Sequence, residues 1–286
     1  MASPDRTTRR RLSRREFLIT GAVATGYALA VRPVSAETIV TPSEGLVAGE
    51  VKIPVAGHEI PAYRALPAKG GPFAVVLVVH EIFGVHEYIR DVCRRLAKRG
   101  YLAVAPDLYA RQGDVKGLAS ADEIISKVVS KVSDAQVFAD LDAVVTWAES
   151  SKGDVARLAI TGFCWGGRVT WLYAAQSNSR VKAGVAWYGR LVGDLNERTP
   201  RQPLDVAASL KVPVLGLYGE EDSGIPLYTI ERMRKALAEG SSGSQIVVYP
   251  KAAHGFHADY RASYEKTAAE DGWKRLLEWL GRHGAA

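Results

Sequence analysis

A cysteine set between glycines is the first sign of chemistry. Gly162-Phe163-Cys164-Trp165-Gly166-Gly167 follows the apolar run Leu158 to Ile160 and precedes a helix-forming stretch, Arg168 to Gln176. A nucleophile on a sharp strand-to-helix turn needs glycines two residues to either side, because a Cβ there would block the approach of helix to strand. Such a turn puts Cys164 at a helix N-terminus, where the dipole favours thiolate. It also aims the Trp165 N–H at the place where an oxyanion would form. The expected chemistry is acyl transfer through a thiol.

A thiol nucleophile needs a base, and the base needs a carboxylate to orient it. Val212 to Tyr218 reads as a buried strand ending in Gly219-Glu220-Glu221-Asp222, and Ile246 to Tyr249 as another, followed by Pro250-Lys251-Ala252-Ala253-His254-Gly255-Phe256. Asp222 is the expected orienting acid and His254 the expected base, with Glu220, Glu221 and His257 as nearby rivals. Nucleophile, acid, histidine is the chain order of an α/β-hydrolase.

The elements that must hold these groups alternate between strand-like and helix-like runs, which points to a mostly parallel sheet covered by helices on both faces. Phe73 to Val79, Leu102 to Ala105, Leu158 to Ile160, Val181 to Trp187, Val212 to Tyr218 and Ile246 to Tyr249 are continuous apolar runs, as buried parallel strands should be. Val51 to Val55 and Glu59 to Leu66 read as an edge hairpin, giving about eight strands. A period near 3.6 marks helices through Ile89, Val92, Cys93 and Leu96, and through Val137, Leu141, Val144, Val145 and Ala148. Trp273, Leu276, Leu277 and Leu280 form the stripe of a C-terminal helix. The stretch Leu108 to Ser133, with Ile124, Ile125, Val128 and Val129 on a short helix, breaks the alternation and is placed to rim a pocket.

Two further motifs flank the site. His80-Glu81-Ile82-Phe83-Gly84 follows the third strand, and Ala105-Pro106-Asp107-Leu108-Tyr109-Ala110-Arg111 includes the fourth strand's end. Together with the cysteine turn and the order of Asp222 and His254, these resemble the dienelactone hydrolase family over roughly Val51 to Leu280. The resemblance implies an α/β-hydrolase fold and a cysteine hydrolase that opens enol-lactones, of the type that converts dienelactone to maleylacetate. It implies a triad of Cys164, His254 and Asp222, with Glu81 beside the nucleophile to modulate its protonation. Ile82 and Trp165 would supply the oxyanion N–H donors, and Arg111 would bind a substrate carboxylate. The family's second carboxylate-binding arginine falls on Ala258 here, and Arg261 lies out of register. A broader ester or thioester range, or a binding protein on the same fold, are the alternatives.

Composition agrees with a globular enzyme: 286 residues, 47% hydrophobic and 24% charged, enough to bury a core without staples. The net charge of +6 suggests anionic partners until its location is read. Residues 1–36 hold seven arginines (Arg6, Arg9, Arg10, Arg11, Arg14, Arg15, Arg32) against Asp5 and Glu16, a net +5 that leaves +1 for the remainder. A nearly neutral body gives no argument for nucleic acid. Ser13-Arg14-Arg15-Glu16-Phe17-Leu18, an uncharged run to Val31 and the small residues ending at Ala36 resemble a twin-arginine export signal. The expectation is a signal over 1–36, a hydrolase domain over 37–286, contact with the twin-arginine export machinery and work in the periplasm. The apolar run of 15 residues is short for a stable membrane span. Cys93 and Cys164 could pair as a disulfide, but Cys93 sits on an apolar helix stripe and reads as a buried thiol. Six scattered histidines without His-Glu-x-x-His or paired-cysteine spacing argue against a metal hydrolase, and no cofactor is implied.

Overall fold

The computed structural model describes residues 39–286, so the expected export signal lies outside the described residues. The chain starts with an antiparallel hairpin, β1 (Leu46–Val55) and β2 (His58–Pro67), in register from Leu46 opposite Pro67 to Val55 opposite His58. Then come β3 (Phe73–Val79), α1 (Glu87–Ala97), β4 (Leu102–Pro106), α2 (Ala121–Lys127), α3 (Asp134–Ser150), β5 (Gly153–Phe163) and α4 (Trp165–Ala174). They are followed by β6 (Ala183–Trp187), α5 (Pro203–Val206), β7 (Val214–Gly219), α6 (Leu227–Ala238), β8 (Gln245–Tyr249) and α7 (Lys266–Arg282). The strands form one sheet in the order β1-β2-β4-β3-β5-β6-β7-β8, antiparallel at the hairpin and where β2 meets β4, and parallel from β4 to β8. This is the α/β-hydrolase arrangement.

The topology explains the two covered faces. The crossover from β3 to β4 runs one way across the sheet and the crossover from β4 to β5 runs back over it. Both being right-handed, α1 and α3 must lie on opposite faces. Every residue of β3 is therefore buried, as are all those of β4, β6 and β7. The helices read from the sequence are all present, and Leu276 and Leu280 of α7 are buried with Trp273 and Leu277 packed against the core.

One strand is longer than its apolar run. β5 begins at Gly153, five residues before Leu158, and the added segment pairs Gly153 with Phe73 and Asp154 with Ala74 before the register shifts at Ala74/Val75. Its polar residues hid it: Asp154 holds Arg157 through an Oδ2 contact at 2.7 Å, a local pairing that leaves no apolar pattern to read.

Glycines let α4 dock. An added Cβ on Gly162 would lie 2.1 Å from the Gly166 carbonyl oxygen, one on Gly166 2.3 Å from that of Val79, and one on Gly167 2.5 Å from that of Trp187. Each obstacle is backbone and cannot rotate away. Gly166→Ala is expected to cost roughly 3 kcal/mol or more by forcing α4 off β3. Urea unfolding checks it: a midpoint equal to wild type would show that the contact gives way.

Candidate active site

The site is assembled at the carboxyl ends of β3, β5, β7 and β8, where parallel sheets leave a crevice open. Cys164 stands between β5 and α4 as the N-cap of that helix, with φ 56° and ψ −113°. Few residues with a side chain adopt this conformation, so the surrounding contacts must hold it. They do: Cys164 N–H donates to the Trp187 carbonyl at 3.0 Å, and the Cys164 carbonyl accepts from Gly167 N–H at 3.0 Å and Arg168 N–H at 3.3 Å. Cys164 and Cys93 are both buried and not joined as a disulfide. Burial pushes the Cys93 thiol upward, as for an inert core residue.

The acid and the histidine meet because two loops touch. Gly219, ending β7, packs so tightly on the turn after β8 that a Cβ would lie 2.2 Å from the Ala252 carbonyl. Glu220 N–H donates to Tyr249 and Glu221 N–H to Ala252, both at 2.9 Å. Across this seam Asp222 Oδ2 contacts His254 Nδ1 at 2.7 Å, while Asp222 Oδ1 accepts from Gly224 N–H at 2.9 Å. Cys164 also interacts with the His254 ring. Burial alone would lower the His254 pKa, but the negative charges of Asp222 and Cys164 outweigh it and raise the value to about 10. Cys164, His254 and Asp222 are thus brought into one line of contacts.

The rivals fall elsewhere. Glu220 and Glu221 are exposed, and His257 is buried against Tyr88, whose hydroxyl contacts His257 Nδ1 at 2.7 Å. Burial, aided by Arg95, holds the His257 pKa down at about 3.

Glu81 is fully buried and tied away in an ion pair. Its Oε1 accepts from Arg261 Nη2 at 3.1 Å, its Oε2 accepts from Tyr260 hydroxyl at 2.5 Å, and His86 Nε2 lies 3.4 Å from Oε2. Burial pushes the Glu81 carboxyl toward its neutral form, but Arg261, His86 and Tyr260 together outweigh that and hold its pKa at about 2. Arg261, set aside in the sequence as out of register, is thus part of the site. It crosses the Phe83 ring at 5.0 Å, it feels the charge of Cys164, and its Nη1 has no hydrogen-bond partner among the described residues. The tight turn at Gly255, with φ +77°, brings it there by packing against the Arg261 side chain.

Ile82 and Trp165 line a shared cavity of about 410 Å³. Neither amide donates to a backbone carbonyl in the surrounding turns. Ile125, Val129 and Val132 form the apolar wall, so the segment that broke the strand-helix alternation does rim a pocket. Arg168 closes one side with two parallel bonds to Asp134 at 2.7 and 2.9 Å and a third to Gln202 Oε1 at 2.8 Å. The sequence reading passed over Arg168, although it directly follows the glycine pair and had to be buried by the helix it begins. A larger cavity of about 600 Å³ is lined by Phe83, Tyr109, Val115 and several carboxylates; Cys164, His254 and Asp222 are among the lining residues of neither cavity. Arg111 lines neither cavity; its guanidinium is paired with Asp140 of α3. Among the described residues no group of histidine, cysteine or carboxylate side chains could hold a metal ion, and no helix is long and apolar enough to cross a membrane.

The sequence matches the profile of the Dienelactone hydrolase family over residues 60–284. It is 62% identical over 277 residues to a protein of Methylorubrum extorquens provisionally named carboxymethylenebutenolidase, covering 96% of this chain and 94% of that one. A protein of Escherichia coli K12 with the same provisional name is 53% identical over 260 residues, 91% of this chain and 96% of the other. The crystal structure of a provisionally assigned dienelactone hydrolase from Klebsiella pneumoniae superposes with a TM-score of 0.81 at 55% identity, covering 83% of this chain and 99% of that one.

The Glu81 pair has a pH signature. A carboxyl whose folded pKa is depressed adds stability that is present above its unfolded value, near 4.5, and lost as pH falls through about 2. Glu81→Gln leaves Arg261 buried without its counter-charge and should be clearly less stable than wild type at pH 7. The gap in melting temperature should narrow between about pH 4.5 and 2; a gap constant over that range would mean that Glu81 carries no charge in the folded protein.

Proposed function

The chain belongs to the dienelactone hydrolase family, and from that premise we propose that it opens an enol-lactone or a related ester through Cys164, His254 and Asp222. The observation that carries this reading is the contact line from Cys164 through His254 to Asp222, with the thiol on a left-handed turn at a helix N-terminus. A His254 held near pKa 10 by Asp222 and Cys164 is a base strong enough to take the Cys164 proton as the sulfur attacks.

In the proposed cycle the Cys164 sulfur attacks the substrate carbonyl carbon, and the carbonyl oxygen gains the negative charge. Ile82 and Trp165 N–H groups receive that oxyanion. The carbon–oxygen bond of the ring breaks, His254 gives its proton to the departing oxygen, and an acyl-cysteine thioester remains. His254 then takes a proton from water, the water oxygen attacks the thioester, and the thiolate leaves with the carboxylic acid formed. Asp222 holds the ring with Nδ1 toward itself throughout, leaving Nε2 for both proton transfers. No cofactor takes part in these steps.

For a carboxylate on the substrate the chain offers two guanidinium groups. Arg111 would have to turn from Asp140; Arg261 already has an unpartnered Nη1 beside the nucleophile's charge. An anion that drew Arg261 from Glu81 would change the charges around the nucleophile, coupling the site's electrostatics to arrival of the correct substrate. A carboxylesterase of other acyl preference is the second reading, favoured by the apolar wall of Ile125, Val129 and Val132.

The deciding experiment is hydrolysis of a carboxylate-bearing enol-lactone and of a neutral ester, by wild type and Cys164→Ala. Wild type should turn over the lactone and the variant should fall by about a thousandfold or more. Arg111→Ala should cut kcat/KM about tenfold or more on the anionic lactone and leave the neutral ester unchanged. Cys164-dependent turnover of the ester alone would transfer the assignment to esters; no turnover of either would end the enzyme reading.

We further propose that residues 1–36 direct export through the twin-arginine pathway to the periplasm, on the strength of the Arg14-Arg15 pair, the apolar run and the small residues before Glu37. N-terminal sequencing of protein from the periplasm should find a start near Glu37; a chain beginning at Met1 or Ala2 and recovered only from the cytoplasm would refute it.

A further inference from the structure

The triad and the Glu81 pair leave the buried His80 without a task. His80 is fully buried at the end of β3, next to Glu81 and two residues before Ile82. Its Nε2 accepts a hydrogen bond from Leu108 N–H at 3.2 Å, so the proton of the neutral ring lies on Nδ1. That Nδ1–H donates to the Glu81 carbonyl at 2.6 Å. Burial lowers the His80 pKa, which agrees with a neutral ring.

The carbonyl it grips belongs to the peptide unit whose N–H is that of Ile82. A peptide unit is planar, so fixing the direction of its C=O fixes the direction of its N–H. Gly84 N–H shares the Glu81 carbonyl at 3.3 Å, a longer contact made from within the same turn. His80 instead ties that turn to the loop after β4, which anchors it from outside. Aromatic contacts hold the ring as well: the His80 ring stacks on the Trp165 ring at 5.5 Å and 21°, and the Tyr109 ring closes on it edge-on at 4.6 Å. His80 therefore contacts the carbonyl of the peptide that carries the Ile82 N–H and the ring of Trp165, and Ile82 and Trp165 both line the 410 Å³ cavity.

We infer that His80 is a positioning residue of the oxyanion site, its Nδ1-protonated ring holding the Glu81–Ile82 peptide and Trp165 in the single arrangement that points both amides at the reacting carbonyl oxygen. This rests on the hydrolase reading given above. His80 touches no reacting atom; it acts on the direction of donors, whose stabilisation is specific to the transition state and so governs kcat.

Three variants separate positioning from packing. Asparagine places an amide N–H₂ where histidine has Nδ1, so His80→Asn retains the donor to Glu81 and loses the acceptor for Leu108. Glutamine reaches the place of Nε2, so His80→Gln retains the acceptor and loses the donor. Steady-state kinetics on whichever substrate wild type hydrolyses in a Cys164-dependent way should show kcat falling no more than about fivefold for His80→Asn, which keeps the donor to Glu81 but not the ring against Trp165. It should fall on the order of 10- to 100-fold for His80→Gln and His80→Ala, with KM nearly unchanged. The inference is overturned if His80→Gln matches His80→Asn, or if losses in all variants follow melting temperature while kcat per folded molecule is constant. Nitrogen-15 NMR of the wild-type imidazole adds a readout independent of turnover: Nδ1 protonation is expected, and an Nε2–H ring removes the clamp even if the protein hydrolyses esters normally. A wild type with no Cys164-dependent hydrolysis, by contrast, removes the hydrolase reading itself, and the positioning role with it.

Discussion

Everything in the site depends on how closely one helix can approach three strands. At Cys164 the backbone must reverse from β5 into α4 within one residue, in a conformation that costs about 1–3 kcal/mol for a side-chain-bearing residue. That cost is met only because Gly162, Gly166 and Gly167 remove every Cβ that would keep α4 away from β3 and β6. Close docking then does two things at once. It makes Cys164 N–H available to Trp187, locking the strained residue, and it sets Trp165, the first residue of α4, on the same cavity wall as Ile82. Tyr188, immediately after Trp187, is itself at φ 39° and sets its ring edge-on to His254 at 5.2 Å. Strain at one strand end is thus shared with its neighbour.

Docking of this kind buries charge, and buried charge must be compensated. Glu81 and Arg261 neutralise each other beneath the nucleophile, while Asp134 and Arg168 do so at the start of α3 and α4. The two pairs differ in a way that bears on function. Arg168 spends its Nε, Nη1 and Nη2 on Asp134, Gln202 and the Arg201 carbonyl, a saturated arrangement suited to fixing the cavity wall. Arg261 keeps Nη1 in hand. A saturated pair holds geometry; an unsaturated one can exchange a partner without leaving every group bare.

The sequence made the frame, and the candidates Cys164, Asp222 and His254, legible because both are written in strong local patterns. Continuous apolar runs give β3, β6 and β7 nearly to the residue, and glycines at fixed offsets give the cysteine turn. Asp222 and His254 could be chosen because each follows such a strand. What stayed hidden depends on contacts between distant segments. The start of β5 is polar because its residues pair with one another at an exposed strand end. Arg261 looked misplaced by counting from His254, yet the left-handed Gly255 turns the chain so that its side chain folds back on Glu81. Arg111 was legible as a loop arginine, but its partner Asp140 lies 29 residues on, in α3, and no spacing rule announces that pairing. The contacts of His80 stayed hidden too, since nothing local shows that the loop after β4 would hand it a hydrogen-bond donor.

The histidines make the same point in energetic terms. His80, His254 and His257 are all buried, and burial drives each toward the neutral ring. Residue type and depth therefore cannot distinguish them. Partners do. His257 meets a tyrosine hydroxyl and the repulsion of Arg95, and settles at about 3; His80 meets a backbone donor and a backbone acceptor, which fix a tautomer and need no charge. Only His254 faces a carboxylate on one side and the cysteine on the other, which is enough to reverse the effect of burial and carry it to about 10. A ring that must gain and lose a proton during a reaction needs a neighbour that favours the charged form, and a ring that must hold a peptide still needs neighbours that do not. The seam between the Gly219 and Ala252 loops supplies the first condition and the seam between β3 and β4 supplies the second. The division of labour among these side chains is therefore set by which strand ends the sheet order makes adjacent.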